Sequence, residues 1–141
     1  MKTVYKPWGK EVWLELNDKY CYKRIYINAG HRTSYQYHTQ KLETNYIIDG
    51  QAEVWLENDE AIVEKTVMGP GDFFTVVPPR KHRVIAISDI ILQEVSTPEV
   101  DDVVRLSDDT LRANGRLDYE HMKPALCILT AGKGTRMADV G

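Results

Sequence analysis

The residues whose types and spacing could do chemistry are Gln36, His38 and Glu43, all inside "GHRTSYQYHTQKLETNYIIDG", Gly30 to Gly50. Successive residues of a strand alternate faces, so Gln36 and His38, two apart, project to the same side. A turn through Thr39 to Leu42 returns the chain with Glu43 near the start of the next strand, so three donor atoms of the kind that hold a cation converge from one expected hairpin. A further histidine, His82, follows the Pro78-Pro79 turn in "GDFFTVVPPRKHRV" and leads into another strand. Each has an ordinary alternative: Glu43 can pair with Arg32 or Lys41, and His82 can be one more basic residue of "RKHR". His31 and His121 lack supporting neighbours and are read as ordinary polar residues.

The elements that must position these groups are short β-type runs. Between Lys10 and Ser96 they are "EVWLEL", "YCYKRIYI", "TNYIID", "AEVWLE", "AIVEKTV", "DFFTVV", "RVIAI" and "IILQEV", separated by turn signals and free of helical periodicity. Asp49-Gly50 and Asn58-Asp59 suit tight hairpins, and Gly69-Pro70-Gly71-Asp72 suits a turn that visits positive φ. Many short antiparallel strands predict an all-β sandwich, jelly roll or small barrel. After Pro98 the acidic "EVDDVVRLSDDTLRANGRLDYEHM" reads as an extended stretch and then a linker, before "KPALCILTAGKGTRM" begins a new strand and a glycine-rich turn.

At 141 residues the chain suits one compact domain with a short appendage. Its formal net charge of -3 leaves no basic surplus to attract nucleic acid or anionic lipid, while small ligands remain compatible. The start has no apolar run of signal-peptide length and no later segment approaches a membrane span, which predicts a cytoplasmic protein. Cys21 and Cys127 form no CxxC pair, which argues against a disulfide framework and a thiolate zinc site.

The spacing of Gly30, Gln36, His38, Glu43 and Gly50 resembles the first motif of the cupin superfamily, with glutamine in place of the usual first histidine. The segment Gly71 to His82 resembles the second motif. The resemblance implies a double-stranded β-helix, or jelly roll, with one divalent metal held by Gln36, His38, Glu43 and His82 inside the barrel. Imidazole nitrogens with two oxygen donors suit zinc, the first expectation, with manganese, nickel, cobalt and iron as alternatives.

Within the superfamily, "YKPWGKEVWLE", "KRIYINAGHRTSYQYH", "VVPPRKHRV" and "LQEVSTPEVDDVVRLSDDTLR" resemble the cupin domain of type II mannose-6-phosphate isomerases, the part fused to mannose-1-phosphate guanylyltransferase in bifunctional enzymes. The similarity covers nearly all of Tyr5 to Arg116. It implies interconversion of mannose 6-phosphate and fructose 6-phosphate through a cis-enediol, with Glu94 as the base and Arg32 and Arg105 on substrate or phosphate. Surface ion pairs with Asp101 or Asp102 are the alternative for the two arginines, and pairing with a lysine the alternative for Glu94. The family often has a histidine directly after the ligand glutamate, where this chain has Thr44, a departure that bears on proton transfer.

"LTAGKGTRM" resembles the opening signature of sugar-phosphate nucleotidyltransferases, with Gly132, Gly134, Thr135 and Arg136 at nucleotide-binding positions of a parent protein. The expected organisation is a cupin domain over 1–116, a linker over 117–124, and the truncated start of a nucleotidyltransferase domain over 125–141. A non-catalytic module that binds a sugar phosphate or nucleotide sugar for a covalently linked nucleotidyltransferase is the alternative function, and another cupin enzyme, an epimerase or dioxygenase, is a third. Fold analogy adds an expected homodimer.

Overall fold

The computed structural model describes residues 1–122, and these form eleven strands and one 3-10 turn. The strands are β1 (Lys2–Lys6), β2 (Gly9–Leu16), β3 (Cys21–Ile27), β4 (Tyr35–Tyr37), β5 (Glu43–Asp49), β6 (Ala52–Glu57), β7 (Val63–Met68), β8 (Phe73–Val76), β9 (His82–Ala86), β10 (Ile90–Ser96) and β11 (Val104–Ser107). They build two antiparallel sheets, one in the order β1-β2-β3-β10-β5-β8 and the other in the order β11-β4-β9-β6-β7. This is the predicted jelly roll. All eight sequence-predicted runs are strands, the strand expected to carry Gln36 is β4, and β1 and β11 are additional. Among the described residues no helix is long and apolar enough to cross a membrane.

Period-2 alternation sorts each strand between core and surface. Cys21, Lys23, Ile25 and Ile27 of β3 point inward, as do Glu43, Asn45 and Ile47 of β5 and Ile90, Leu92, Glu94 and Ser96 of β10. Register then separates the interior into two zones. Leu92 stands between Ile25 and Ile47 in an apolar floor completed by Trp8, Val54, Phe74, Val76 and Val84. Glu94 stands between Lys23 and Asn45, and Ser96 between Cys21 and Glu43, so the other zone is polar. Burying these charges is tolerable only with partners, which is what the interior supplies.

Two local expectations are corrected by the sheet topology. The stretch around Gln36 to Glu43 is not a hairpin: β4 belongs to the five-stranded sheet and β5 to the six-stranded one, so the loop between them crosses the barrel. Likewise Asp49-Gly50 joins β5 to β6 across the two sheets and is a corner rather than a tight hairpin. Short apolar strands alternate identically in both arrangements, so sequence alone does not choose between them. Asn58-Asp59 does lie in the β6–β7 hairpin, and Gly71 adopts φ +94 as anticipated.

Gly50 turns the corner at φ +84, and a Cβ there would lie 2.1 Å from the Asp89 carbonyl oxygen. Left-handed backbone alone costs a non-glycine residue about 1–2 kcal/mol, and the clash is with main chain that cannot swing away. Gly50→Ala is therefore expected to destabilise the barrel by at least about 2 kcal/mol, read as a lower urea midpoint at unchanged m-value.

Beyond β11 the described residues continue to 122. Asp118–His121, within the expected linker, form the 3-10 turn and pack against β1. Glu120, 2% exposed, pairs with Lys6 at 2.8 Å and Arg112 at 3.1 Å, and Arg112 pairs with Asp108 at 2.8 Å. This strap lies over one end of the barrel and contributes to its internal cavity. The segment expected to open a nucleotidyltransferase domain, with Gly132, Gly134, Thr135 and Arg136, lies outside the described residues, as does Cys127. Cys21 is a buried free thiol.

Candidate metal centre and cavity

The crossing loop brings the predicted ligands together from facing sheets. Gln36 lies on β4 and His38 just beyond it, while Glu43 opens β5 and His82 opens β9, directly opposite Gln36. All four line one internal cavity. His38, Glu43 and His82 are buried, and each offers a ligand atom within 4.8 Å of the others.

The two imidazoles are oriented by main chain. His38 Nδ1 lies 2.6 Å from the Asp102 carbonyl oxygen, and His82 Nδ1 lies 3.1 Å from that of Arg80. With Nδ1–H donated outward, Nε2 is the nitrogen that each ring, when neutral, can offer to a metal, and both rings line the cavity. Both Nε2 atoms are buried without a hydrogen-bond partner. His38 Nε2 stands 3.0 Å from Glu43 Oε1, and Asn45 Nδ2 donates to Glu43 Oε2 at 2.8 Å. Inner ring nitrogens facing a carboxylate, with the outer nitrogens held by carbonyls, are the arrangement that a metal-ligating histidine needs. Gln36 Oε1 accepts from the Ser34 hydroxyl, which fixes the amide beside them. The donor set of two imidazoles, a carboxylate and an amide oxygen fits a divalent cation.

Charge state supports this. Burial pushes the His82 imidazole down to about 4, against the opposing pull of Glu43, so it is neutral and ligand-ready near neutral pH. Burial alone would raise the Glu43 carboxyl, but Lys41 and the neighbouring imidazoles outweigh it and hold the group well below the usual carboxylate range. Lys41 Nζ lies 3.2 Å from Glu43 Oε1 and 2.8 Å from Glu94 Oε2. Burial would lower that ammonium, and the two glutamates raise it instead, so it stays charged. Pairing of Glu43 and of Glu94 with a lysine, the ordinary alternative for each, thus coexists with their place in the cavity.

Asp102, just before β11, ties the approach to that strand to this centre. Its carbonyl orients His38, and its carboxylate accepts from the main-chain N–H groups of Thr39, Gln40 and Lys41 and from the Thr39 hydroxyl. Burial pushes the Asp102 carboxyl up, and these donors together override it, bringing the group down to about 2. Asp102→Ala leaves the loop between two ligands unheld. It is expected to weaken metal binding about 10–100-fold, the usual cost of losing an outer support, measured by competition with a chromogenic chelator.

Of the two arginines expected on substrate, only Arg105 reaches the cavity. Its guanidinium is held by the carbonyls of Ala113 and Gly115, and its Nε is buried without a partner. Arg32 is instead forked onto Asp109 at the surface and is not among the cavity-lining residues. The ion-pair alternative foresaw Asp101 or Asp102 as its partner, and Asp109 takes that place. Glu94, 4% exposed, does face the cavity. Thr44 points the other way: its hydroxyl meets that of Thr75 on the outer face of the sheet, 2.9 Å away. A histidine at this position would stand outside the barrel, so the departure from the family pattern removes nothing from the cavity.

Sequence reasoning missed several cavity groups. Lys41, Asn45, the Glu11–Lys23 pair at 3.1 Å, and His121 all line it. Inward lysines on alternating strands were visible at Lys23, which breaks an otherwise apolar inner face; His121 reaches the cavity only because the strap folds back, a long-range event with no local signature.

The family model described as mannose-6-phosphate isomerase C-terminal matches residues 1–108. The mannose-1-phosphate guanylyltransferase of Escherichia coli (strain K12) is 31% identical over 110 residues, covering 76% of this chain and 22% of that protein. The one from Salmonella montevideo is 29% identical over 110 residues, covering 76% and 23%. The chain thus matches less than a quarter of the length of these relatives. Among solved structures, an RmlC-like cupin from Shewanella frigidimarina superposes with a TM-score of 0.59 at 20% identity, covering 69% of this chain and 83% of that one. A putative sugar phosphate isomerase from Acidithiobacillus ferrooxidans gives 0.58 at 21% identity, covering 74% of each. These likenesses carry the fold, and the match over residues 1–108 carries the family: this chain belongs to the mannose-6-phosphate isomerase C-terminal family, on a cupin jelly roll.

Proposed function

We propose that this chain is a metal-dependent sugar-phosphate isomerase that interconverts mannose 6-phosphate and fructose 6-phosphate through a cis-enediol. The observation that carries the reading is one cavity holding the His38, Glu43 and His82 cluster beside the buried carboxylate of Glu94. Charge supplies the substrate class. Lys6, Lys23, Lys41, Arg112 and Arg116 each pair with a carboxylate, whereas Arg105 is bonded only to carbonyls. Arg105 is therefore the cation on which an anionic phosphate would settle, with its unpartnered Nε available as a donor.

With the phosphate on Arg105, the sugar's open-chain end extends toward the ligand cluster. Glu94 takes the proton from C2 of the aldose and returns it to C1, while the hydroxyl proton passes from O2 to O1. Gln36, His38, Glu43 and His82 would hold a divalent ion, zinc by our assignment, whose chemistry is to polarise the substrate's oxygens. The apolar floor beneath excludes water from the enediol.

A second reading has its own support in the relatives' names and in "LTAGKGTRM": a sugar-phosphate binding module serving a linked nucleotidyltransferase. One assay separates the two. Zinc-loaded protein incubated with mannose 6-phosphate is expected to form fructose 6-phosphate, and chelation is expected to stop it. Tight binding of mannose 6-phosphate without product would favour the module.

A further inference from the structure

Lys41 is the cation nearest the ligand cluster, and its surroundings go beyond charge balance. The residue is 5% exposed, and its main-chain N–H is anchored on Asp102 Oδ2 at 3.0 Å. Nζ stands 3.2 Å from Glu43 Oε1 and 2.8 Å from Glu94 Oε2. An ammonium has three N–H donors and no acceptor. Nζ forms ion pairs with these two carboxylates, and among the described residues no third hydrogen-bond or ion-pair partner faces it, so at least one donor is unclaimed. The side chain lines the cavity. A donor left over there, on a nitrogen already fixed from two sides, is preorganised for a ligand oxygen.

We propose that Lys41 is a further catalytic residue: fixed between Glu43 and Glu94, it presents its remaining N–H to a sugar oxygen beside the carbon that Glu94 deprotonates. The inference rests on the sugar-phosphate reading above. Its geometric basis is the 2.8 Å contact, since an oxygen hydrogen-bonded to Nζ sits alongside the Glu94 carboxylate, and the carbon bearing that oxygen comes within its reach. Negative charge that develops on the oxygen as the proton leaves then meets a fixed positive charge on a buried side chain. Lys41 is thus distinct from Arg105, which serves the phosphate at the strap end of the cavity.

Calorimetry with mannose 6-phosphate and with inorganic phosphate tests this on the full chain, zinc-loaded, with metal content measured in each sample. Lys41→Met is expected to weaken mannose 6-phosphate binding about 10–100-fold, the loss typical of one hydrogen bond to a charged group, while inorganic phosphate binding and zinc content stay at wild-type values. Turnover should fall further than affinity, as kcat rather than KM. Should Lys41→Met leave two uncompensated carboxylates and fail to fold, the same comparison is made between Glu94→Gln and Lys41→Met with Glu94→Gln, where the loss of sugar-phosphate affinity is again expected. Equal affinity for mannose 6-phosphate with and without Lys41 overturns the proposal and leaves the isomerase reading intact. Loss of zinc on replacing Lys41 also overturns it, since Lys41 would then act through Glu43. Wild-type protein that binds inorganic phosphate but no mannose 6-phosphate overturns both readings.

Discussion

Replacing Glu43 by glutamine is expected to strip the protein of its metal and of all turnover. The carboxylate touches His38 Nε2, Lys41 Nζ and Asn45 Nδ2 at 3.0, 3.2 and 2.8 Å, so it is at once the anionic donor of the cluster and the hub of its supports. Glutamine keeps the shape and removes the charge. What remains for a divalent ion is two imidazoles and neutral amides, in a site that also holds the positive charge of Lys41. The loss in affinity should exceed the roughly 10–100-fold that follows from disturbing an outer support, and so exceed that of Asp102→Ala. Elemental analysis after dialysis against buffer with trace zinc reads it directly. Retention of a full complement of metal by Glu43→Gln would remove Glu43 from the ligand set.

The second large effect is kinetic. Glu94→Gln is expected to lower kcat by about 10²–10⁴-fold, the usual contribution of a placed general base, while metal content and affinity for mannose 6-phosphate change little. Glu94 lies opposite Lys23 and Asn45 in the sheet and reaches Lys41 at 2.8 Å, all inside the cavity. A carboxylate that served only as counter-ion to Lys41 would behave differently: its replacement would lower stability and leave kcat within a few-fold of wild type. A kcat measurement paired with a thermal melt separates the two roles.

Much of this site was legible because its determinants are local. Gln36, His38 and Glu43 sit at motif spacing, His82 follows its turn, and strand alternation told which neighbours share a face. The same alternation, applied to Glu43, puts Thr44 outside the barrel and dissolves the concern raised by its departure from the family pattern. What the sequence did not disclose is which sheet each strand joins. Whether β4 and β5 form a hairpin or face each other across the barrel depends on pairings with β9 and β10, more than 40 residues downstream. The destination of each long charged side chain was hidden for a similar reason. Arg32 and Arg105 both occupy family positions, yet one folds onto Asp109 and the other enters the cavity, because the strap that supplies their partners returns from residues 108–115. Lys41 looked like a loop lysine between two ligands; only the crossing of that loop over the barrel turns its ammonium inward.

Anomalous diffraction from crystals of the zinc-loaded protein, collected on both sides of the zinc edge, tests the central claim most directly. The account predicts one anomalous peak per chain, bounded by His38 Nε2, His82 Nε2 and Glu43 Oε1 with Gln36 beside them. An anomalous map flat at that position, with either imidazole turned outward or a water bridging the two Nε2 atoms, would contradict it.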